Sequence, residues 1–328
     1  MNRIALLGLV ALCAAPVAAQ NAPAHVLLIT GLGGQAAYSQ SFHDAAVQIY
    51  DAAGQWGVPD SNRVWLGEDT ARDRRRIKAR ATTQAVGAEF VALARRIRPG
   101  EVVLVVLIGH GSGQGPESRV NLPGPDPTAR DYSAWLLPLA EATVVFVNAS
   151  SASGDFLPVL SGRNRIIITA TRSSTERNES VFHTHFARGL STAEADADKD
   201  GRITVLEAYS YARNAVRQAY ESTNRMLTER AQLDDVGDGR GAEDPAATEG
   251  AAGGLARQVA FGGAPASTDP RVVALAAERR ELEAQVAALR TRRASMTDTA
   301  YENELERLLL LIAEKTQAIR AIEAGRRP

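Results

Sequence analysis

Twelve consecutive residues, Asp196-Ala-Asp198-Lys-Asp200-Gly201-Arg202-Ile203-Thr204-Val205-Leu206-Glu207, carry oxygen donors at alternate positions, a glycine at the sixth and a glutamate at the last. That spacing suits a hard cation held by about seven oxygens, so Ca2+ is the expected cofactor and the loop is of EF-hand type. Asp196, Asp198 and Asp200 would converge on one side of a tight loop, and Gly201 would take the positive φ of the sharp turn. Arg202 would lend its backbone carbonyl, Thr204 would act through a water, and Glu207 would close the site with both oxygens. Ile203 is the apolar residue expected to pin the loop to the protein body. Sensor loops work in pairs, and the acidic stretch Asp234 to Arg240 lacks both alternation and a closing glutamate. A lone loop suits a permanent strut better than a switch.

A second set of residues could do covalent chemistry. His110 stands between Gly109 and Gly111, and Ser150, Ser151 and Ser153 cluster some forty positions later. Each set directly follows an apolar run, Val102 to Ile108 and Thr143 to Val147, which reads as a buried strand. In open parallel sheets chemistry gathers at the carboxyl ends of such strands. The chain's single cysteine, Cys13, lies in the N-terminal segment, so no thiolate is offered anywhere near these strands. His183 and His185 are two apart on an expected helix and point to different faces, which is not the spacing of a metal pair. Gly31 to Gly34 fits neither a dinucleotide nor a Walker loop and reads as a tight turn beside the same strand ends.

These positions need a scaffold, and the chain has the pattern of one. Strands at His25 to Thr30, Arg63 to Leu66, Val102 to Ile108, Thr143 to Val147 and Arg165 to Thr169 alternate with helices, the clearest at Ala36 to Ala53 and Thr83 to Ile97. The expected fold class is α/β, a mostly parallel sheet with helices on both faces. Further helices are expected near Val181 to Leu190 and from Val205 to Ser222, and a mobile loop from Asp234 to Gly254. Residues 263–270 read as a linker. From 271 to 328 the apolar stripes Leu282, Val286, Leu289 and Leu305, Leu308, Ile312, Ile319, Ile322 predict a C-terminal helical hairpin or coiled-coil tail, turning at Ser295 to Asp298.

With the strands placed, residues 25–261 resemble the caspase-like clan of cysteine peptidases, most of all its legumain-type branch. His110-Gly111-Ser112 is similar to the His-Gly that carries the catalytic base there, and Ser153-Gly154 to the end of the Cys-x-Ser-Gly that carries the nucleophile. The resemblance places Ser151 where the family has cysteine. It implies a caspase-like α/β domain over residues 20–262 with His110 and Ser151 as the candidate catalytic positions. A serine hydroxyl is a much weaker acid than a thiol and needs a well-oriented base with a third group behind it. Asp131, Asp155 and Glu176 are the carboxylates that could supply it. The expected function is therefore a non-peptidase or pseudopeptidase that binds a peptide or protein. A serine-type hydrolase using Ser151 and His110, with amides near Gly111 as oxyanion donors, is the alternative, and a calcium-stabilised adaptor acting through the tail is the second.

The remaining composition sets limits. Arg3, the apolar Ile4 to Val10 and the small residues Val17-Ala18-Ala19 form a secretory signal over residues 1–19, so a periplasmic or secreted protein is expected. Leu12 before Cys13 argues against a lipidated anchor, and no later stretch suits stable membrane insertion. A net charge of -1 gives no reason to expect nucleic acid. The tail makes a homo-oligomer through the C-terminal helices an option.

Overall fold

The computed structural model describes residues 23–199, 201–245, 252–262 and 269–324. The elements run β1 (His25–Thr30), α1 (Ala36–Gln55), β2 (Arg63–Gly67), β3 (Ile77–Arg80), α2 (Thr83–Ala94) and β4 (Val102–Ile108). There follow β5 (Gly111–Ser112), β6 (Arg119–Val120), α3 (Ala129–Leu136), β7 (Thr143–Asn148), α4 (Phe156–Leu160), β8 (Arg165–Thr169) and α5 (Phe182–Ser191). The last are β9 (Ile203–Thr204), α6 (Val205–Ser222), β10 (Gln232–Asp234), α7 (Gly254–Gln258), β11 (Ala260–Phe261), α8 (Pro270–Thr291) and α9 (Asp298–Ala324).

Seven strands form one sheet in the order β10-β8-β7-β4-β1-β2-β3, and all neighbours are parallel except β10, which runs against β8. β4 lies at the centre with every residue buried, and its alternation divides the core in two. Val102, Leu104, Val106 and Ile108 face α1, α5 and α6, where Phe42, Ile49, Phe186 and Tyr209 pack. Val103, Val105 and Leu107 face α2, α3 and α4, where Phe90, Tyr132 and Phe156 pack. A parallel strand buried on both faces must be apolar at every position, which explains the unbroken run Val102 to Ile108. The expected architecture, a mostly parallel sheet with helices on both faces followed by a helical hairpin, is the one observed.

Several expectations need correction. α2 ends at Ala94 instead of Ile97, because the chain tightens into a turn in which the Ile97 amide still reaches the Leu93 carbonyl. The segment after Asp234 is not a loose loop among the described residues. Asp234 and Asp235 are buried, and Asp234 accepts from the amides of Val236, Gly237 and Gly239 at 3.0, 3.0 and 3.1 Å. Leu233 and Ala242 exchange both backbone hydrogen bonds, which covers the outer edge of β10. That edge would otherwise be a template for another strand.

The tail helices α8 and α9 pack on each other within the chain. Leu282, Val286 and Leu289 meet Leu305, Leu308 and Ile312, while Val272 and Ala276 meet Ile319. Lys315 pairs with Glu278 across the hairpin at 2.5 Å. The signal segment and the linker residues 263–268 lie outside the described residues. Among the described residues no helix is long and apolar enough to cross a membrane.

Candidate functional site

The parallel register of β1, β4 and β7 brings Ile108, Asn148 and Thr30 to one end of the sheet, with Thr30 paired to Ile108 and Asn148 to Leu107. His110 leaves β4 two residues later, and Gly111-Ser112 then pairs back with Arg119-Val120 as a short hairpin. Two aromatic rings of α1 meet the imidazole edge-on, Tyr38 at 4.9 Å and Phe42 at 5.2 Å between centroids. Its Nε2 lies 3.2 Å from the carbonyl oxygen of Gly33. A carbonyl can only accept, so Nε2 carries the proton and donates. The Gly31 to Gly34 turn thus lines the site, as the sequence suggests.

The serine loop is wound tightly at the end of β7. The Asn148 side-chain oxygen accepts from the Ser150 amide at 3.1 Å and from its hydroxyl at 2.7 Å, a local bond that turns the chain out of the sheet. Ala152 takes a φ of 52°, held by its amide on the Glu176 carbonyl at 2.8 Å. The Ser153 hydroxyl and the Thr171 hydroxyl lie 3.2 Å apart, and Thr171 also accepts from the Gly154 amide at 3.0 Å. Ser153-Gly154 is therefore a joint between the β7 and β8 loops.

Ser151 is buried, and its hydroxyl accepts from the Gly111 amide at 3.2 Å. The two predicted positions are thus brought together through Gly111, but no hydrogen bond joins the His110 ring to Ser151 among the described residues. None of the three carboxylates considered as a third group performs that role. Asp131 caps α3 in a reciprocal box with Thr128. Asp155 accepts from the amides of Gly115 at 2.7 Å and Ser174 at 3.3 Å. Glu176 accepts from the amides of Arg172 at 2.8 Å and Arg230 at 3.2 Å. Each is committed to fixing loop backbone, which is what these short acidic side chains do best beside free amides.

The acidic loop lies between α5 and α6. One carboxylate oxygen from each of Asp196, Asp198 and Glu207 lies within 4.8 Å of the others. Oxygens on opposite sides of a calcium ion bound at about 2.3–2.6 Å would be about 5 Å apart, so the three fit one coordination sphere. Gly201 has a φ of 82° and its amide donates to Asp196 at 2.9 Å, and Lys199 has a φ of 62°. Thr204 and Glu207 form a capping box that starts α6: the Thr204 hydroxyl accepts from the Glu207 amide at 3.1 Å and Glu207 accepts from the Thr204 amide at 2.9 Å. Burial, more than any neighbour, raises the Glu207 carboxyl above its ordinary range. Ile203 packs against the core as expected, and Asp200 lies outside the described residues. Arg202 is half-buried in the loop. β9 of this loop pairs antiparallel with β11, Ile203 opposite Phe261 and Thr204 opposite Ala260.

No family model matches the chain, and no curated protein is similar to it in sequence. Similar solved structures are a structural-genomics target from Geobacter sulfurreducens and caspase-1 from Spodoptera frugiperda. The first shares 11% identity at a TM-score of 0.41, covering 64% of this chain and 92% of its own. The second shares 8% identity at a TM-score of 0.44, covering 66% of this chain and 90% of its own. Both overlaps are loose.

Other groups near the site have no simple signature in the sequence. His183 on α5 is buried, its Nε2 is 2.8 Å from the Ser41 hydroxyl, and its ring stands edge-on to Phe42 at 5.2 Å. Burial first, then the neighbouring His185 and His110, pushes its pKa down to about 4. Glu229 is buried and accepts from the Phe182 amide at 2.9 Å, the Val181 amide at 3.0 Å and the Ser180 hydroxyl, which holds the start of α5. A cleft of about 640 Å3 opens at the carboxyl ends of β1 to β3, lined among others by Leu32, Ser39, Glu68, Asp69, Arg72 and Arg80. Neither His110 nor Ser151 lines it.

Arg279 of α8 is the residue whose position is least expected. Its side chain is 2% exposed, and it bonds Asp198 of the acidic loop at 3.0 Å. A signal for it exists: Arg279 stands seven residues after Val272 and seven before Val286, where the apolar stripe calls for an aliphatic residue.

Proposed function

We propose that this chain is an exported, calcium-stabilised protein on a caspase-like scaffold that binds a peptide or protein and has no peptidase chemistry. The observation that carries the reading is the use of the candidate catalytic groups. Among the described residues no hydrogen bond joins the His110 ring to the Ser151 hydroxyl: the hydroxyl accepts from the Gly111 amide, the His110 Nε2–H donates to the Gly33 carbonyl, and Asp131, Asp155 and Glu176 fix loops. A serine nucleophile needs a base that can reach its proton and a third group that orients the base. An open cleft of about 640 Å3, with two acidic and two basic side chains, is of a size to hold a few residues of a polar peptide. The signal-like residues 1–19 support export.

A fluorophosphonate probe incubated with the protein is expected to label Ser151 no faster than any surface serine. Labelling at Ser151 that His110→Ala abolishes would overturn the reading and make the chain a serine-type hydrolase.

Calcium supplies stability in this reading, because an ion bound to the folded loop and not to the unfolded chain adds RT ln(1 + [L]/Kd). At one hundred times Kd that is about 2.7 kcal/mol. At about 2–4 °C per kcal/mol for a domain of this size, a chelator should lower the melting temperature by about 5–10 °C. An unchanged melting temperature, together with no calcium found in the purified protein by elemental analysis, would leave the loop as an acidic turn closed by its own capping box.

A further inference from the structure

We infer that the C-terminal helical hairpin is an internal latch on the calcium loop, in which Arg279 and Ca2+ oppose each other at Asp198. The inference rests on the calcium reading given above and concerns how that site is regulated.

Asp198 is the third residue of the loop, and its carboxylate is one of the three oxygen donors that converge. The same carboxylate accepts from Arg279 Nη2 at 3.0 Å, and the Asp198 backbone carbonyl lies 3.4 Å from Nη1. Two atoms of one guanidinium therefore grip the loop at one residue, from a helix 81 positions further along the chain. Arg279 is almost wholly buried, whereas the Asp198 side chain is 47% exposed and so remains open to an incoming cation. A cation already sits on a carboxylate that calcium would use. Even if the two Asp198 oxygens were divided between the two cations, a divalent ion and a guanidinium on one carboxylate would repel strongly at that separation. The coupling between them is negative.

The helix also carries a second place for the guanidinium. Glu283, one turn later on α8, has its carboxylate 3.4 Å from Arg279 Nε. On losing Asp198, Arg279 keeps a charged partner on its own helix and is not left buried and bare, so release is not prohibitively costly. The hairpin can remain intact through this change. Its own core, Val286 and Leu289 against Leu308, with Val272 and Ala276 against Ile319, involves no residue of the loop.

Linkage makes the device reciprocal: whatever factor Arg279 takes from calcium affinity, calcium takes from the docking of the hairpin. At low calcium the tail is held at the acidic loop by Arg279. At high calcium the loop is filled and the tail is set free to meet a partner. The lone loop is then both a strut for the domain and a switch for the tail.

The test is calorimetric titration of the full chain with CaCl2, for wild type, Arg279→Met and Arg279→Lys, alongside amide exchange of α8 with and without CaCl2. Removing the guanidinium should tighten calcium binding by about tenfold, a coupling in the usual range, and Arg279→Lys should fall between. In the wild type, calcium should speed exchange in α8, and in Arg279→Met exchange should be fast at every calcium level. Binding of equal or weaker affinity in Arg279→Met would overturn the latch while leaving the calcium site standing. Failure of all three proteins to bind CaCl2 would overturn the calcium reading itself, which is a different result.

Discussion

Gly111→Ala should lower the stability of the domain by about 3 kcal/mol, the upper end of what a methyl forced into a packed site usually costs. A Cβ at this position would lie 2.1 Å from the Ser151 carbonyl oxygen, 3.0 Å from the Ser150 hydroxyl and 3.3 Å from the Arg119 carbonyl oxygen. The nearest of these is backbone, so no side-chain rotation relieves the clash. Moving the strand away is also opposed, because Gly111 is paired with Val120 on its other side and its amide donates to Ser151. The loss should be read from the urea midpoint at constant slope. Gly254→Ala is the control, since nothing lies within 4 Å of its Cβ at the start of α7. Alanine there should be neutral or stabilise by up to about 1 kcal/mol. A Gly111→Ala protein as stable as wild type would mean that the hairpin and the Ser151 loop do not touch.

Acid should weaken the protein well before its carboxylates titrate, and His183 should account for a large part of the effect. Its folded pKa of about 4 lies below the ordinary 6.5, because burial disfavours the charged ring and because His185 and His110 add like charge. Between those two values the unfolded chain binds a proton that the folded protein refuses. Stability therefore falls as pH falls through this window, and levels off below about 4. At about 1.4 kcal/mol for each pH unit, over about 2.5 units, the loss approaches about 3.5 kcal/mol. His25, His43 and His185 are lowered in the same direction, burial being the first cause in each, so they steepen the fall. His183→Gln keeps a polar partner for Ser41 without a titrating ring. Its urea-unfolding stability should fall by less than that of wild type between pH 7 and pH 4.5. Parallel losses in the two proteins would show that His183 is free to take its proton in the fold.

Both predictions concern positions whose importance depends on neighbours distant in the chain. Gly111 is one glycine of a His-Gly pair in the sequence, and a glycine after a strand suits any turn. Its need for a hydrogen in place of a side chain comes from Ser151, forty residues later. His183 looks like a helical histidine beside another. Its low pKa comes first from burial, to which α1 contributes by bringing Ser41 and Phe42 against it.

Local pattern alone determined much about this protein. The unbroken apolar runs of β1, β4 and β7, the apolar periods of α1 and α6, and the stripes of α8 and α9 each reflect burial on a definite face, which period records directly. The acidic turn before α6 is equally legible in part, because Gly201, which takes a φ of 82°, and Asp196, Asp198 and Glu207, whose carboxylates converge, lie within twelve residues. Tertiary structure alone decided the rest. The strands β3, β9, β10 and β11 are two to four residues long, too short for any period, and exist because a neighbour in the sheet offers unpaired backbone groups. The direction of His110 was settled by the Gly33 carbonyl and the rings of Tyr38 and Phe42, and that of Ser151 by the Gly111 amide. The grip of Arg279 on Asp198 was settled by how the hairpin lies against the domain. A charge in an apolar stripe is visible in one dimension, but its partner is not, since Coulomb attraction acts through space and keeps no record of spacing along the chain.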